Sequence, residues 1–397
     1  MLAYRLARGS HPAVLLRRLL LATAAGGVGF LLLSALAYAA AHPDGGRAAV
    51  LRLAWCAVPL AATIQLSVAV ARAEPSGKPR SGLDVVGMGP ARVPALAAVS
   101  AAAAGLLGSV AALVLFLLLR GDLTVLPFHG VASGALPDGG PLPLGATVTL
   151  LAVAPVAAAV ASALTLRARP SRRPAPAPVV VTDLAEITRA EPPPPLPTGL
   201  PWGTTLMGTG IAVSAFAGDD PLSVPPDGWL PLDGALGGVS SGMVGGWLMI
   251  VAGVVLAAPG LIHVCGLLLS TGRPGVLRLL AGRGLLEEAT RVGRPMGALS
   301  AACAVVLAAL ELDTLGDFGP LGALGTAVVL VCALGTVAVT ADQTRSARRP
   351  ATALLLRLGA ARTLLRGAAA VRIGTLIAVF VPLTWLAVQL ITLPTGR

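Results

Sequence analysis

Long apolar runs constrain this chain more than any other feature. A helix needs about 20 apolar residues to cross a bilayer, and nine runs come near that length, covering 19–41, 50–71, 94–119, 145–166, 202–217, 242–271, 295–312, 319–341 and 373–393. Only 12% of the 397 residues are charged, whereas soluble domains usually carry about 25%. A soluble domain and a polar, disordered chain are both excluded. The sequence predicts an all-α, polytopic integral membrane helix bundle with about nine spanning helices.

The basic residues predict the orientation of these spans. If all nine runs cross, 25 of the 29 basic residues fall on one side, and if the short run 202–217 does not cross, the split becomes 14 and 15. Because cytoplasmic loops carry the excess of Lys and Arg, the first arrangement is favoured. The predicted location is the bacterial plasma membrane, with a cytoplasmic N-terminus and an extracellular C-terminus. The first apolar run is long for a signal peptide, so an uncleaved first helix is expected.

A proline-rich segment divides the sequence into two related halves. Residues 1–169 hold the first four runs and residues 202–397 hold the last five. Between them, residues 170–201 are rich in proline, which is typical of a semi-rigid linker. The outer loops, 120–144 and 218–241, are about 25 residues long at most, too short for a folded domain.

The sequence contains no motif for covalent chemistry. Lys78 is the only lysine, and its Ser-Gly-Lys-Pro surroundings are not a phosphate-binding loop. The four cysteines lie singly within apolar runs, which favours apolar packing over metal ligation. The sequence therefore predicts no catalytic residue, cofactor or metal, and no ATPase in this chain.

Composition also bears on partner and source. The net charge is +11, but only 3% of residues are aromatic and the basic residues lie between membrane-length runs, so membrane lipid rather than nucleic acid is the expected contact. Abundant Ala, Gly and Pro, with 28 arginines and one lysine, favour a high-GC actinobacterial genome.

Few polar residues interrupt the apolar runs. His263 could relay protons, although a neutral imidazole bonded to a neighbouring helix is favoured because its run contains no acidic residue. Glu311 and Asp313 are predicted at a solvated helix end. This scarcity of buried charge weakens a proton- or sodium-coupled carrier. Gly242 and Gly246, with Gly238 before them, have the spacing that lets helices approach closely.

The segment 350–372 is the most informative stretch outside the spans. Leu354, Leu358, Ala361 and Leu365 recur at helical spacing, with arginines elsewhere around the turn, so the pattern predicts a basic amphipathic helix. Such a helix either lies on anionic lipid or docks a cytoplasmic partner, and the sequence leaves both open.

A resemblance to a known family rests on this segment. The run Leu355–Arg362, Leu-Leu-Arg-Leu-Gly-Ala-Ala-Arg, resembles the juxtamembrane signature of FtsX-like ABC transporter permeases. A weaker copy, Asp84–Arg92, leads into the third run, whose Gly-Leu-Leu-Gly at 105–108 is also similar. The stretch 277–288 resembles actinobacterial members. The resemblance covers the helix order of nearly the whole chain and about 40 positions in detail, and here the large extracellular domain of some relatives is missing.

The resemblance implies a permease subunit that couples ATP hydrolysis by a separate cytoplasmic ATPase to transport, with a second permease chain as a further candidate partner. The short outer loops and the few polar residues within the spans favour export or extraction of an amphipathic or lipidic substrate over import of a small polar solute. The residues it assigns to coupling are Gly87, Arg92, Leu358, Gly359, Arg362 and Arg366. The alternative is an ATP-independent membrane protein, either a secondary carrier or a structural partner.

Overall fold

The computed structural model describes residues 12–42, 46–73, 92–121, 143–166, 199–219, 241–271, 275–311, 319–357, 359 and 361–392. The regular structure in these ranges is entirely helical. In chain order the helices are α1 Pro12–Ala41, α2 Gly46–Trp55, α3 Ala57–Ala73, α4 Arg92–Arg120, α5 Leu144–Leu166, α6 Gly199–Asp219, α7 Ser241–Ser270, α8 Val276–Glu311, α9 Gly319–Arg357 and α10 Arg362–Thr392. The linker predicted at 170–201 lies outside the described residues, except that its last three residues begin α6.

Six of these helices are long and apolar enough to cross a membrane: α1, α4, α5, α7, α9 and α10. This confirms the predicted class, a multi-pass helical membrane protein. The number of spans and the two related halves stay predictions.

The second apolar run forms two helices rather than the single helix predicted over 50–71. The chain bends at Cys56, between α2 and α3. Pro59 explains the bend, because proline lacks the N–H that would bond to the carbonyl of Trp55 four residues earlier. Cys56 and Leu60 still bond to Arg52 and Cys56, at 3.3 and 3.2 Å.

One group of helices packs around α1. It contains α3, α4 and α5, and its closest crossing joins α1 and α4, where a Cβ on Gly108 would clash with the carbonyl of Ala22. Near the other end of the same pair, Phe30 and Phe116 meet edge to face at 5.7 Å between ring centroids. Such close contacts between small residues are how helices associate in lipid.

A second group contains α6, α7, α8 and α10. The helix α6 runs antiparallel to α7, and a Cβ on Gly210 would lie 2.7 Å from the carbonyl oxygen of Gly246. The close packing predicted at Gly246 is therefore confirmed, with α6 as the partner, while Gly238 lies outside the described residues. On the other side of α7, a Cβ on Gly293 of α8 would lie 2.5 Å from the Cα of Pro259.

The helix α9 belongs to the C-terminal part of the sequence but packs against the N-terminal helices α1 and α3. Its Cys332 and Val339 share a buried cluster with Leu66 and Val70 of α3, and Val328 packs beside Val28 of α1. It also contacts α8. The two groups are thus joined through α9.

The segment 350–372 contains the end of α9, a short turn and the start of α10, so the prediction of one amphipathic helix there is wrong. The helix α9 ends at Arg357 and α10 begins at Arg362. Between them Gly359 has a φ of 89°, a left-handed conformation that glycine adopts readily at helix ends, and its N–H donates to the carbonyl of Leu356 at 3.2 Å. The helix breaks at Gly359 for that reason.

Candidate functional site

Arginines gather at one end of the bundle, where α8 and α10 begin and α9 ends. The segments 276–294, 342–357 and 362–372 hold eleven arginines and three acidic residues. The remainders of these three helices are apolar over 17, 23 and 20 residues, respectively. We call this the arginine-rich end.

One charged contact at this end joins α1, α3 and α9. Arg17 of α1 donates to the carboxylate of Asp342 and to the carbonyl of Ala73 at 3.2 Å. The neighbouring Gln343 donates to the carbonyl of Ala69 at 2.9 Å. The charges of Arg17 and Asp342 balance, and the Asp342 side chain is 47% exposed.

A second charged contact joins α8, α9 and α10, and its charges do not balance. Arg348 Nε lies 2.5 Å from Oε1 of Glu288, and Arg372 Nη1 lies 4.0 Å from Oε2 of the same carboxylate. Arg348 also donates to the carbonyl of Gly284 at 3.1 Å. The three charged side chains are each less than 30% exposed. We call Glu288, Arg348, Arg372 and Gly284 the Glu288 cluster.

Gly284 is required for this convergence. A Cβ at that position would lie 2.9 Å from Arg372 Nη1 and 3.0 Å from Arg348 Nη2. A larger residue would displace at least one guanidinium group, so α8 admits both arginines only where it has no side chain. The Nε atom of Arg372 is buried and has no hydrogen-bond partner among the described residues.

The outermost part of the arginine-rich end exposes leucines beside arginines. Leu277 of α8 lies next to α10, since a Cβ on Gly367 would be 3.0 Å from its Cδ2 atom. The exposed large apolar residues are Val276, Leu277, Leu279, Leu280 and Leu356. Exposed arginines lie among them, at positions 278, 357, 362 and 366. We call this surface the leucine–arginine tip.

The predicted coupling residues fall partly on this tip. Gly359, Arg362 and Arg366 stand together at the α9–α10 turn, and all three are exposed. Gly87 and Leu358 lie outside the described residues. Arg92 is the first residue of α4, and its side chain lies outside the description.

The polar side chains singled out in the apolar runs make no hydrogen bond or ion pair with another side chain in the described part of the chain. His263 is buried in α7, 5% exposed, and the hydrogen bond expected to a neighbouring helix is not seen there. Glu311 is exposed at the end of α8, as predicted, while Asp313 lies outside the described residues.

No metal-ligating cluster lies among the described residues. They contain no group of three His, Cys, Asp or Glu side chains able to hold a metal ion. A cavity beside Arg18, Ser67 and Ser100 has a volume of about 10 Å³. Ligand sites usually measure about 300–1,000 Å³.

Sequence reasoning missed the Glu288 cluster, because its members come from three helices separated by long stretches of chain. The one available signal was the pair of glutamates, Glu287 and Glu288, in a segment otherwise dominated by arginine.

The fold and this end of the bundle define a multi-pass helical membrane protein with a densely basic, partly apolar face. A scan against protein-family models and searches of curated proteins and of solved structures find no match to this chain.

Proposed function

We propose that this chain is the membrane-spanning subunit of an ATP-driven transporter of the bacterial plasma membrane, similar to FtsX-like ABC permeases. The observation that carries the proposal is the leucine–arginine tip. Exposed apolar side chains rimmed by charge are typical of protein interaction surfaces, and these stand on helices that continue into the bundle. A separate ATPase with an acidic rim around an apolar centre would fit this surface.

The proposed topology has nine crossings, with the arginine-rich end in the cytoplasm. Contact between Arg17 and Asp342 supports it, because two touching residues lie on the same side of the membrane. The intervening chain must then cross an even number of times. If all eight apolar runs from 19–41 to 319–341 cross the membrane, the number of crossings is even. If α6 is the one run that does not cross, the number is odd and the two residues would lie on opposite sides. At about 1.5 Å per residue, the 21 residues of α6 reach about 31 Å, roughly the thickness of the hydrocarbon core.

The proposed mechanism is mechanical. Movement of the partner ATPase would displace the α9–α10 turn and the start of α8. The Glu288 cluster links these three helices, and α9 continues between the two groups to reach α1 and α3. A displacement at the tip would therefore reach both groups through α9. An amphipathic or lipidic substrate that moves along the surface of the bundle needs no large central cavity.

The test is copurification of the full chain from its native membranes after chemical crosslinking, with mass spectrometry to identify a phosphate-loop ATPase. Replacing Arg362 and Arg366 by Lys keeps charge but removes the planar fork that arginine uses in paired hydrogen bonds. Gly359→Val disturbs the left-handed turn without changing charge. Both variants should recover several-fold less ATPase than the parent, while Arg349→Lys, an exposed control outside the tip, should not. If the parent recovers no ATPase, or if the variants recover as much as the parent, the proposal is wrong.

A structural membrane partner that uses no ATP is the second candidate. Direct backbone contact between helices favours it, since Gly210 with Gly246 and Gly266 with Gly282 approach as closely as glycine allows. A bundle packed in this way suits a rigid scaffold. In the same copurification, a membrane protein without any ATPase would support this candidate.

A further inference from the structure

We propose that the Glu288 cluster binds the phosphate group of an anionic phospholipid. This assignment is independent of the transport function, because it rests on residues within the bundle rather than on the leucine–arginine tip. The site lies where α8, α9 and α10 meet, and its ligand is a phosphodiester headgroup such as that of phosphatidylglycerol.

The Glu288 cluster has a surplus of positive charge. Two guanidinium groups face one carboxylate, and Arg348 takes the close position at 2.5 Å. Arg372 approaches the second oxygen only to 4.0 Å, and its buried Nε has no partner among the described residues. A guanidinium carries five N–H donors in a fixed planar arrangement that matches phosphate. A partly buried arginine with unused donors favours an added anion.

The helix turns next to the Glu288 cluster carry further positive charge. Arg283 and Arg291 stand near Glu288 along α8, and Arg345 and Arg349 flank Arg348 on α9. Glu287 is the one acidic residue among these positions, and it is exposed. The surrounding field therefore attracts an anion to the Glu288 cluster and disfavours a second protein carboxylate.

The depth of the Glu288 cluster relative to the membrane favours a lipid headgroup over free phosphate. Arg372 directly precedes the apolar stretch 373–392, while Glu288 and Arg348 lie seven residues from the apolar parts of α8 and α9. At about 1.5 Å per residue, that is roughly 10 Å beyond the hydrocarbon. The headgroup layer extends about 5–8 Å beyond each face of the core, and arginine side chains reach the remaining distance. The guanidinium groups of Arg348 and Arg372 thus lie at the level of the lipid phosphates.

The experiment uses the full chain in nanodiscs of phosphatidylcholine with increasing phosphatidylglycerol. Thermal unfolding and native mass spectrometry report stability and retained lipid. The midpoint of unfolding should rise with phosphatidylglycerol. Arg372→Gln should lose more than half of that rise and retain at least threefold less phosphatidylglycerol. Arg357→Gln, at an exposed arginine nine residues beyond Arg348 on α9, should behave as the parent. An Arg372→Gln chain that responds as the parent does overturns the proposal.

A second variant guards against simple loss of folding. Glu288→Gln removes the competing carboxylate, so it should lower stability in pure phosphatidylcholine yet retain at least as much phosphatidylglycerol as the parent. If Glu288→Gln and Arg372→Gln lose lipid equally, the cluster only holds the three helices together through its ion pairs, and the proposal fails. If inorganic phosphate added to phosphatidylcholine discs reproduces the full stabilisation, the ligand is free phosphate and the lipid assignment is overturned.

Discussion

The two charged contacts at the arginine-rich end make the same kind of connection in different ways. Each ties α9 to another helix, Arg17–Asp342 to the first group and the Glu288 cluster to the second. The first is one cation with one anion, and its Asp342 is about half exposed. The second is two cations with one anion, all largely buried.

The difference in charge balance suits the Arg17–Asp342 pair to joining helices and the Glu288 cluster to binding an anion as well. Arg17 is 13% exposed but Asp342 is 47% exposed, so water reaches the carboxylate of this balanced pair. Such a pair contributes about 0–1 kcal/mol to stability and leaves no unmet charge. A partly buried and unbalanced cluster costs more to break and retains hydrogen-bonding capacity for a further anion. Both contacts position α9, but only the Glu288 cluster has an N–H donor without a partner among the described residues, at Arg372 Nε.

The largest expected effect concerns the side of the membrane on which both contacts lie. Single cysteines at Ser223 and Ser346, with the native cysteines removed, can be labelled with an impermeant thiol reagent in intact cells. The proposed topology predicts labelling at 223 and none at 346. Labelling at 346 but not at 223 would place both charged contacts outside the cell and contradict the cytoplasmic assignment.

The next largest effect is expected from Glu288→Ala, which leaves two largely buried arginines without their carboxylate. Breaking a buried ion pair costs about 3–5 kcal/mol, and the partial exposure of this cluster reduces the expected loss of unfolding free energy to roughly 2 kcal/mol. Reversible unfolding in mixed micelles measures the loss. Glu287→Ala, on the exposed neighbour, is the control and should change stability by less than about 0.5 kcal/mol.

A smaller effect is expected from Gly359→Ala, which tests the turn that sets Arg348 and Arg372 beside each other. A φ of 89° is costly for any residue with a Cβ, by about 1–2 kcal/mol. Gly374→Ala is the matched control, because a Cβ there meets no atom within 4 Å and α10 continues through it. That change should be neutral or stabilising. Equal losses from the two substitutions would show that the left-handed turn is unimportant.

The smallest effect is expected at the balanced contact. Asp342→Asn should cost less than about 1 kcal/mol and should cost less still in high salt, which screens exposed charges. A double-mutant cycle with Arg17→Gln measures the coupling between the two side chains. A coupling as large as the loss in Glu288→Ala would remove the distinction drawn between the two contacts.

The apolar runs predicted the helices well because length and hydrophobicity act locally along the chain. The bend at Cys56 was also present in the sequence, since Pro59 lies inside the second run, but the run was long enough to suggest one helix. At 350–372 the leucine spacing predicts one helix, whereas the left-handed turn at Gly359 places Leu354 and Leu365 on different helices.

The lateral packing was not predictable from the same patterns. Nothing in the order of the runs indicates that α9 packs against α1 and α3, because lipid and helix surfaces are equally apolar. The same holds for Arg348 and Arg372, which meet at Glu288 only because Gly284 leaves room for them. Such pairings depend on the rotation of each helix about its axis, which the sequence of a single chain does not determine.

The position of α9 has a consequence for how the protein is made. Translation delivers α1 and α3 to the membrane long before α9, yet α9 covers Val28 and Leu66 in the finished fold. Until then these faces must contact lipid or the insertion machinery. The N-terminal helices therefore complete their packing only when most of the chain has been synthesised. If synthesis stops before α9, the faces of α1 and α3 around Val28 and Leu66 stay uncovered, and quality-control proteases can recognise such a chain.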